Sequence, residues 1–573
     1  MPQTLSYPGV YVQEISSGVH TITGVATSIT AFVGRARRGP TNIAVTVNNF
    51  GDFEKTFGGM WPKSALGFAV RDFFLNGGGQ AIVVRLYHTA QTTATTPVDI
   101  PSAVVMAVGA LSFKAANEGT WGLALRLTVD QKNIPADVAT ALGVPATGLF
   151  NLSVLDTSTG AAESFLNLTV ANSARRVDNV LKAESHLVAY NGTPTGTEAI
   201  AAGRDPLGTL EDALTVSKQA RTDLQNSGTA TAAQVTAAET AVTTAKTALD
   251  AAVTAATALV SDGAYLAVLD FLPLNGLTLK KGLFALEQAD LFNILCIPPY
   301  RNPTDALDVD VNLVSTAAAY CEKRRAMLIV DPPKDWISTD DARTKFTDTS
   351  LDHVGTNSRN AALYFPRLRQ PNPLHGDQIE DFAPCGTAAG IWARTDTQRG
   401  VWKAPAGLDA TLVGTPALSV PLTDDENGEL NPLGVNCLRA FPVYGRVVWG
   451  GRTLRGADAL ADEYKYIPVR RTALYIEESL FRGLKWVVFE PNDEPLWAQI
   501  RLNVGAFMHN LFRQGAFQGT TPTVAYFVKC DKETTSQSDI NLGIVNVVVG
   551  FAPLKPAEFV VIKLQQITGQ IEV

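Results

Sequence analysis

Leu291-Phe292-Asn293-Ile294-Leu295-Cys296-Ile297, closed by Pro298-Pro299, is followed by Ala326-Met327-Leu328-Ile329-Val330, closed by Asp331-Pro332-Pro333, and then by Ala361-Ala362-Leu363-Tyr364-Phe365-Pro366. Each run is almost continuously apolar, too short for a helix and stopped by proline, which reads as a strand buried on both faces. A helical run through Ala317 to Arg325 separates the first two. Such strands alternating with helices predict a parallel sheet covered on both sides, assigned here to an α/β domain over residues 262–435.

On the N-terminal side, Ala81-Ile82-Val83-Val84-Arg85-Leu86 follows a helical pattern at Ser64 to Leu75 and a stop at Gly77-Gly78-Gly79, so residues 23–90 read as a βαβ-type part of the same core. Ahead of it, Pro8-Gly9-Val10-Tyr11-Val12-Gln13-Glu14-Ile15 is a β-prone run within an N-terminal arm, residues 1–22, that must find a sheet to join.

Two insertions interrupt the core. Residues 91–205 carry short β-prone runs such as Leu123 to Val129 and Phe150 to Leu155, predicting an inserted β-rich domain. Residues 206–261 are rich in Ala, Thr and Gln and break at Asn226-Ser227-Gly228. Val235, Val242, Leu249 and Ala256 recur every seven residues, which predicts an antiparallel helical hairpin reaching roughly 45 Å; a low-complexity loop is the alternative.

Residues 436–564 read as a compact α+β unit, with strands at Val443 to Trp449, Trp486 to Glu490 and Thr523 to Lys529 and helices at Pro468 to Arg482 and Pro495 to Phe512. It is expected to close in a hairpin from Ile544 to Leu564, turning at Pro553-Leu554-Lys555-Pro556. A polar C-terminal arm, residues 565–573, follows.

Composition narrows the function. At 573 residues the chain exceeds one ordinary domain, and its net charge of −8 with a pI near 5.4 provides no basic field for nucleic acid. No apolar run reaches the roughly 20 residues needed to span a bilayer, and Met1-Pro2-Gln3-Thr4-Leu5 lacks the start of a secretion signal, so folding in a cytoplasm without membrane insertion is expected. Five scattered cysteines read as buried free thiols.

The sequence offers little chemistry. It contains no G-x-x-x-x-G-K-[ST], G-x-G-x-x-G, H-E-x-x-H or G-x-S-x-G run, and its six histidines have no metal-ligand spacing. Asp424-Asp425-Glu426-Asn427-Gly428 departs from a calcium loop in its glycine and its missing distal acid. No catalytic residue, cofactor or metal is assigned, and the competing reading is a cytoplasmic α/β enzyme with a decorated parallel sheet.

Several segments together resemble the contractile sheath family of phage tails, R-type pyocins and extracellular injection systems. They include Tyr7 to Glu14, Ala31-Phe32-Val33-Gly34, Ala389-Gly390-Ile391-Trp392-Ala393-Arg394-Thr395-Asp396, Arg399-Gly400-Val401-Trp402-Lys403-Ala404-Pro405-Ala406, Val448-Trp449-Gly450-Gly451-Arg452-Thr453-Leu454, Phe489-Glu490-Pro491-Asn492 and Ala552 to Val560. The resemblance implies a subtilisin-like-fold α/β sheath domain without protease activity, joined to a C-terminal sheath domain. It implies a virion or released-particle component that polymerises as stacked hexameric rings around an inner tail tube protein, between baseplate and tail terminator proteins. The sheath would contract to drive the tube through a target envelope, without nucleotide. Its arms would join neighbouring copies by strand addition, with Pro8, Gly9, Val10, Tyr11, Val12, Ile15, Gln566, Ile567 and Ile571 as candidates. Val545, Val547, Val549, Phe559, Val561 and Ile562 would form the receiving hairpin, and Arg470, Arg471, Arg482, Arg501 and Arg513 are candidates to face the tube.

Overall fold

The structure, a computed structural model, describes residues 20–93, 97–305, 307–348 and 350–563. At its centre lies an eight-stranded sheet in the order Gly445–Val448, Val435–Phe441, Ala361–Phe365, Met327–Val330, Ile294–Cys296, Thr30–Arg35, Ala81–Leu86 and Ala44–Val47. The six inner strands run parallel, and both edge strands are antiparallel. The three runs that decide the fold are therefore adjacent strands, in register at Ile294 with Met327 and at Leu328 with Ala361.

Burial on both faces explains the missing alternation. Along Thr30–Arg35, Ala31 and Val33 pack toward the helix Val311–Lys323, while Phe32 packs toward the helices Leu66–Leu75 and Cys385–Arg399. The last two helices approach closely. A Cβ on Gly390 would lie 2.5 Å from the carbonyl oxygen of Phe73, and one on Gly386 would meet the carbonyl of Ala69.

Residues between Val105 and Arg204 form two antiparallel sheets, of four and three strands, around a core of their own. Arginines from the body tie this insertion down: Arg85 to Glu118 at 2.7 Å and Arg38 to Asp156 at 2.8 Å. The helices Pro206–Asn226 and Ala232–Ala258 then pack along each other, capped by Asp205 and by a Thr231/Gln234 capping box. Ala232–Ala258 buries no residue and is about 40 Å long at 1.5 Å per residue.

Several expectations need correcting. Val435–Phe441 pairs in parallel with Ala361–Phe365 and carries Gly445–Val448 with it, so the large sheet runs past the boundary expected at 436. Trp486 to Glu490 is a short turn, Lys485–Val487, and then loop, because Asp493 and Pro495 start the helix Glu494–Arg513 immediately afterwards. The hairpin expected from Ile544 to Leu564 does not form among the described residues. Val548–Phe551 pairs backward with Tyr526–Lys529, and Phe559 to Ile562 pair with nothing among the described residues. Matching β propensity made the two runs look like partners, but Pro553 and Pro556 carry the chain past the tight turn a hairpin needs. Ile22, expected in the arm, is core: it is 6% exposed among the C-terminal helices.

Candidate functional site

The C-terminal unit combines the helices Ile467–Gly483 and Glu494–Arg513 with the two-stranded sheet Tyr526–Lys529/Val548–Phe551 around Ile476, Trp497, Ile500 and Met508. The described stretches nearest both chain ends are rooted on or beside it.

The N-terminal root is held residue by residue. His20 stacks on Trp486 at 4.2 Å, and Ile22 packs where Gly483 has no side chain. The hydroxyl of Tyr475 occupies the position a Cβ of Gly24 would take. The Val25 amide donates to Ser479 Oγ at 3.2 Å. The Thr27 hydroxyl donates to Asp396 at 2.7 Å, and the Thr27 carbonyl accepts from Arg471 at 3.0 Å. The candidates Pro8 to Ile15, together with Gln566, Ile567 and Ile571, lie outside the described residues.

At the other end, Ala552 still accepts from the Gln518 amide at 2.9 Å. Beyond it, Glu558 meets Arg452, and the chain then presents Phe559, Val560, Val561 and Ile562 at 76–82% exposure. Neighbouring side chains on a strand point to opposite faces, so this segment, if it were paired as a strand, would be apolar on both sides like the inner strands of the large sheet. The six residues expected to form one hairpin divide accordingly: Val545, Val547 and Val549 rest against the C-terminal core, whereas Phe559, Val561 and Ile562 stand in solvent.

The five candidate arginines also divide. Arg471 is buried, with its guanidinium 2.5 and 2.8 Å from the Asp396 carboxylate and over the Trp392 ring, so it is unavailable to a partner surface. Arg470 donates to Asn360 at 2.9 Å and lies over Tyr464. Arg482 pairs with Asp290 at 2.6 Å and Glu478 at 2.7 Å, and Arg501 pairs with Glu494 at 2.6 Å. Arg513 is exposed in the last turn of its helix and makes no ion pair among the described residues.

Between the large sheet and the C-terminal segment lies a cleft of about 700 Å³ lined by Trp402, Trp449, Arg399, Lys403, Lys555 and Glu558. Its described lining residues include no serine, threonine, cysteine or histidine. Among the described residues no three metal-ligating side chains cluster, and no helix is long and apolar enough to cross a membrane. Burial pushes the thiols of Cys321, Cys385, Cys437 and Cys530 up, away from the reactive thiolate.

One buried acid stands out in the body. Asp331 ends the strand Met327–Val330 and accepts from the Cys385 amide at 2.8 Å, at the start of the helix Cys385–Arg399, while its Oδ2 has no partner. Burial, opposed by that hydrogen bond, pushes its carboxyl up to about 6. Between about pH 4 and 6 the folded chain then holds a proton that the unfolded chain has released, so stability falls as pH rises through this window and stays lower above it. Asp331→Asn removes that cost and keeps an acceptor for Cys385. The variant should be more stable than wild type by about 2 kcal/mol near pH 7.5 in urea titrations, with the difference vanishing below about pH 4. A variant less stable than wild type at both pH values would refute this account.

Residues 275–454 match the phage tail sheath protein central domain and residues 461–567 the phage tail sheath C-terminal domain, together half of the chain. The chain is 27% identical over 247 residues to a putative prophage major tail sheath protein of Pseudomonas aeruginosa, a match covering 41% of this chain and 57% of that one. It is 25% identical over 222 residues to a tail sheath protein of Vibrio phage KVP40, covering 35% and 33%. The chain thus spans less than two thirds of either relative. In fold it is similar to the helical sheath of the anti-feeding prophage in its contracted state, at 20% identity and TM-score 0.52 over 98% of this chain and 100% of that one. It is likewise similar to a sheath tail protein from Listeria innocua, at 12% identity and TM-score 0.53 over 93% and 96%.

Proposed function

We propose that this chain, which belongs to the contractile tail sheath family, is a structural subunit that polymerises with copies of itself around an inner tube and works by repacking, without a catalytic step. One observation carries the reading: Phe559 to Ile562 is a run of four large apolar residues, solvent-exposed and without a pairing partner among the described residues. Contiguous exposed apolar surface marks an interaction site, and an unpaired strand completes itself by joining a sheet. The sheet Tyr526–Lys529/Val548–Phe551 of a second copy is the acceptor we favour, since among the described residues it has two strands and so an open edge on each.

In this reading the segments 1–19 and 559–573 are arms, the subunits stack as hexameric rings, and the α/β body, with a subtilisin-like fold, is a rigid lever. Backbone hydrogen bonds in the joined strands survive while bodies rotate, so contraction proceeds by new contacts between bodies. Its driving force is the difference in contact free energy between two packings, which requires no nucleotide. Arg513 and the outward face of Glu494–Arg513 are the part we assign to the tube protein. Baseplate and terminator proteins would bound the polymer, in a phage virion or a released particle assembled in a bacterial cytoplasm.

Negative-stain microscopy of the purified chain tests the reading. Hollow cylinders or stacked rings are expected; a monodisperse small oligomer across concentration and ionic strength would refute it.

A further inference from the structure

We propose that Arg452 and Glu558 form a latch that fixes the direction in which Phe559 to Ile562 leaves the subunit and transmits tension from that segment into the α/β body. The proposal rests on the reading that the segment joins a neighbouring copy.

The bond network is specific. Arg452 has no exposed side-chain surface. Its Nε donates to Glu558 Oε1 at 2.8 Å and its Nη2 to Oε2 at 2.6 Å, the two-pronged geometry that gives Arg–carboxylate pairs both strength and direction. Nη1 is occupied separately, by the carbonyls of Asn431 at 3.0 Å and Gly456 at 3.3 Å and by Asp458 at 3.0 Å. The Tyr466 hydroxyl donates to Glu558 Oε2 at 3.2 Å.

On the body side the path continues into the large sheet. The Arg452 amide donates to Asn436 Oδ1 at 2.7 Å, and the Asn436 side-chain amide donates to the Arg452 carbonyl at 2.8 Å and to that of Leu363 at 3.1 Å. Asn436 and Leu363 sit on adjacent parallel strands. Gly450 allows this approach, because a Cβ there would lie 2.7 Å from Cα of Asn436.

Among the described residues from 554 to 563 there is no backbone hydrogen bond, and Glu558 makes the only polar side-chain contacts. Pro556 and the residues beside it form one wall of the large cleft. Pull on Phe559 therefore reaches Glu558 first. With the pair intact the load passes through Arg452 and Asn436 into the sheet; without it, the wall peels and the cleft opens.

Glu558→Gln tests the latch, keeping the shape and one acceptor but losing the charge. A nitroxide attached at Ala557→Cys reads the local effect on the unassembled chain, since Ala557 is exposed and the five native cysteines are buried. The fraction of label tumbling freely should rise about ten- to a hundredfold in Glu558→Gln over the otherwise unchanged labelled chain, the range expected for loss of a charged hydrogen bond. Cylinders from the unlabelled variant should be shorter at equal concentration. Asp458→Asn, which removes the exposed partner of the same guanidinium, should leave both readouts near wild type. An unchanged label spectrum in Glu558→Gln overturns the latch. A second measurement leaves Glu558 in place: if a label at 557 is as mobile as one at 561, the latch also falls. A wild-type chain that builds no cylinders would sink the assembly reading instead, and the label comparison would still decide the latch.

Discussion

Removing residues 559–573 should leave a folded subunit that builds no cylinders at concentrations where the full chain assembles. The described part of that segment contributes nothing to any core: Phe559, Val560, Val561 and Ile562 are each more than three quarters exposed. The thermal melt should therefore stay within a degree or two of wild type. Association is another matter. Burying four large apolar side chains stabilises by roughly 6 to 12 kcal/mol before costs, and strand pairing adds backbone hydrogen bonds. Association consumes several kcal/mol in lost freedom, so without this term the balance turns against assembly. Deleting residues 1 to 15 probes the other arm in the same way. Normal cylinders from the truncated chain would refute strand addition by this segment.

The largest stability effect is expected at Asp396. Its carboxylate and the Arg471 guanidinium are 4% and 3% exposed, and together they join helix Cys385–Arg399 of the body, helix Ile467–Gly483 of the C-terminal unit and Thr27 of the N-terminal root. Asp396→Ala leaves Arg471 buried without its counter-charge, which costs about 3–5 kcal/mol. Urea unfolding should lose its first transition at markedly lower denaturant, with the C-terminal unit loosening first. Replacing both partners, Asp396→Leu with Arg471→Met, should recover much of the loss, since an apolar pair carries no desolvation penalty. A midpoint for Asp396→Ala near wild type would show that water reaches the pair.

That pair also shows where sequence reading stops. Arg470-Arg471 looks like a basic surface dyad, but successive residues on a helix lie about 100° apart. Arg471 shares its stripe with Ile467, Leu474 and Glu478, all buried, so spacing alone could have turned it inward. The inner strands were legible because a strand buried on both faces leaves a continuous apolar run that few other structures leave. Val435–Phe441 was less so, since its local composition does not say which sheet it joins. Phe559 to Ile562 does not pair with Val545 to Val549 as its composition suggests, because pairing is a non-local choice that propensity does not encode. Glu558 carried no signal at all: its role depends on Arg452, over a hundred residues earlier in the chain.

The helical hairpin has a consequence for engineering. Its tip at Ser227-Gly228 is remote from every core, and Gly228, at φ +64°, has no neighbour within 4 Å of where a Cβ would be. A peptide or small domain spliced there would add little beyond the entropy of closing a longer loop, a cost that grows only logarithmically with length. Each subunit then offers a mounting post about 40 Å long, and a polymer of subunits would repeat that post at regular spacing, a scaffold for displaying cargo.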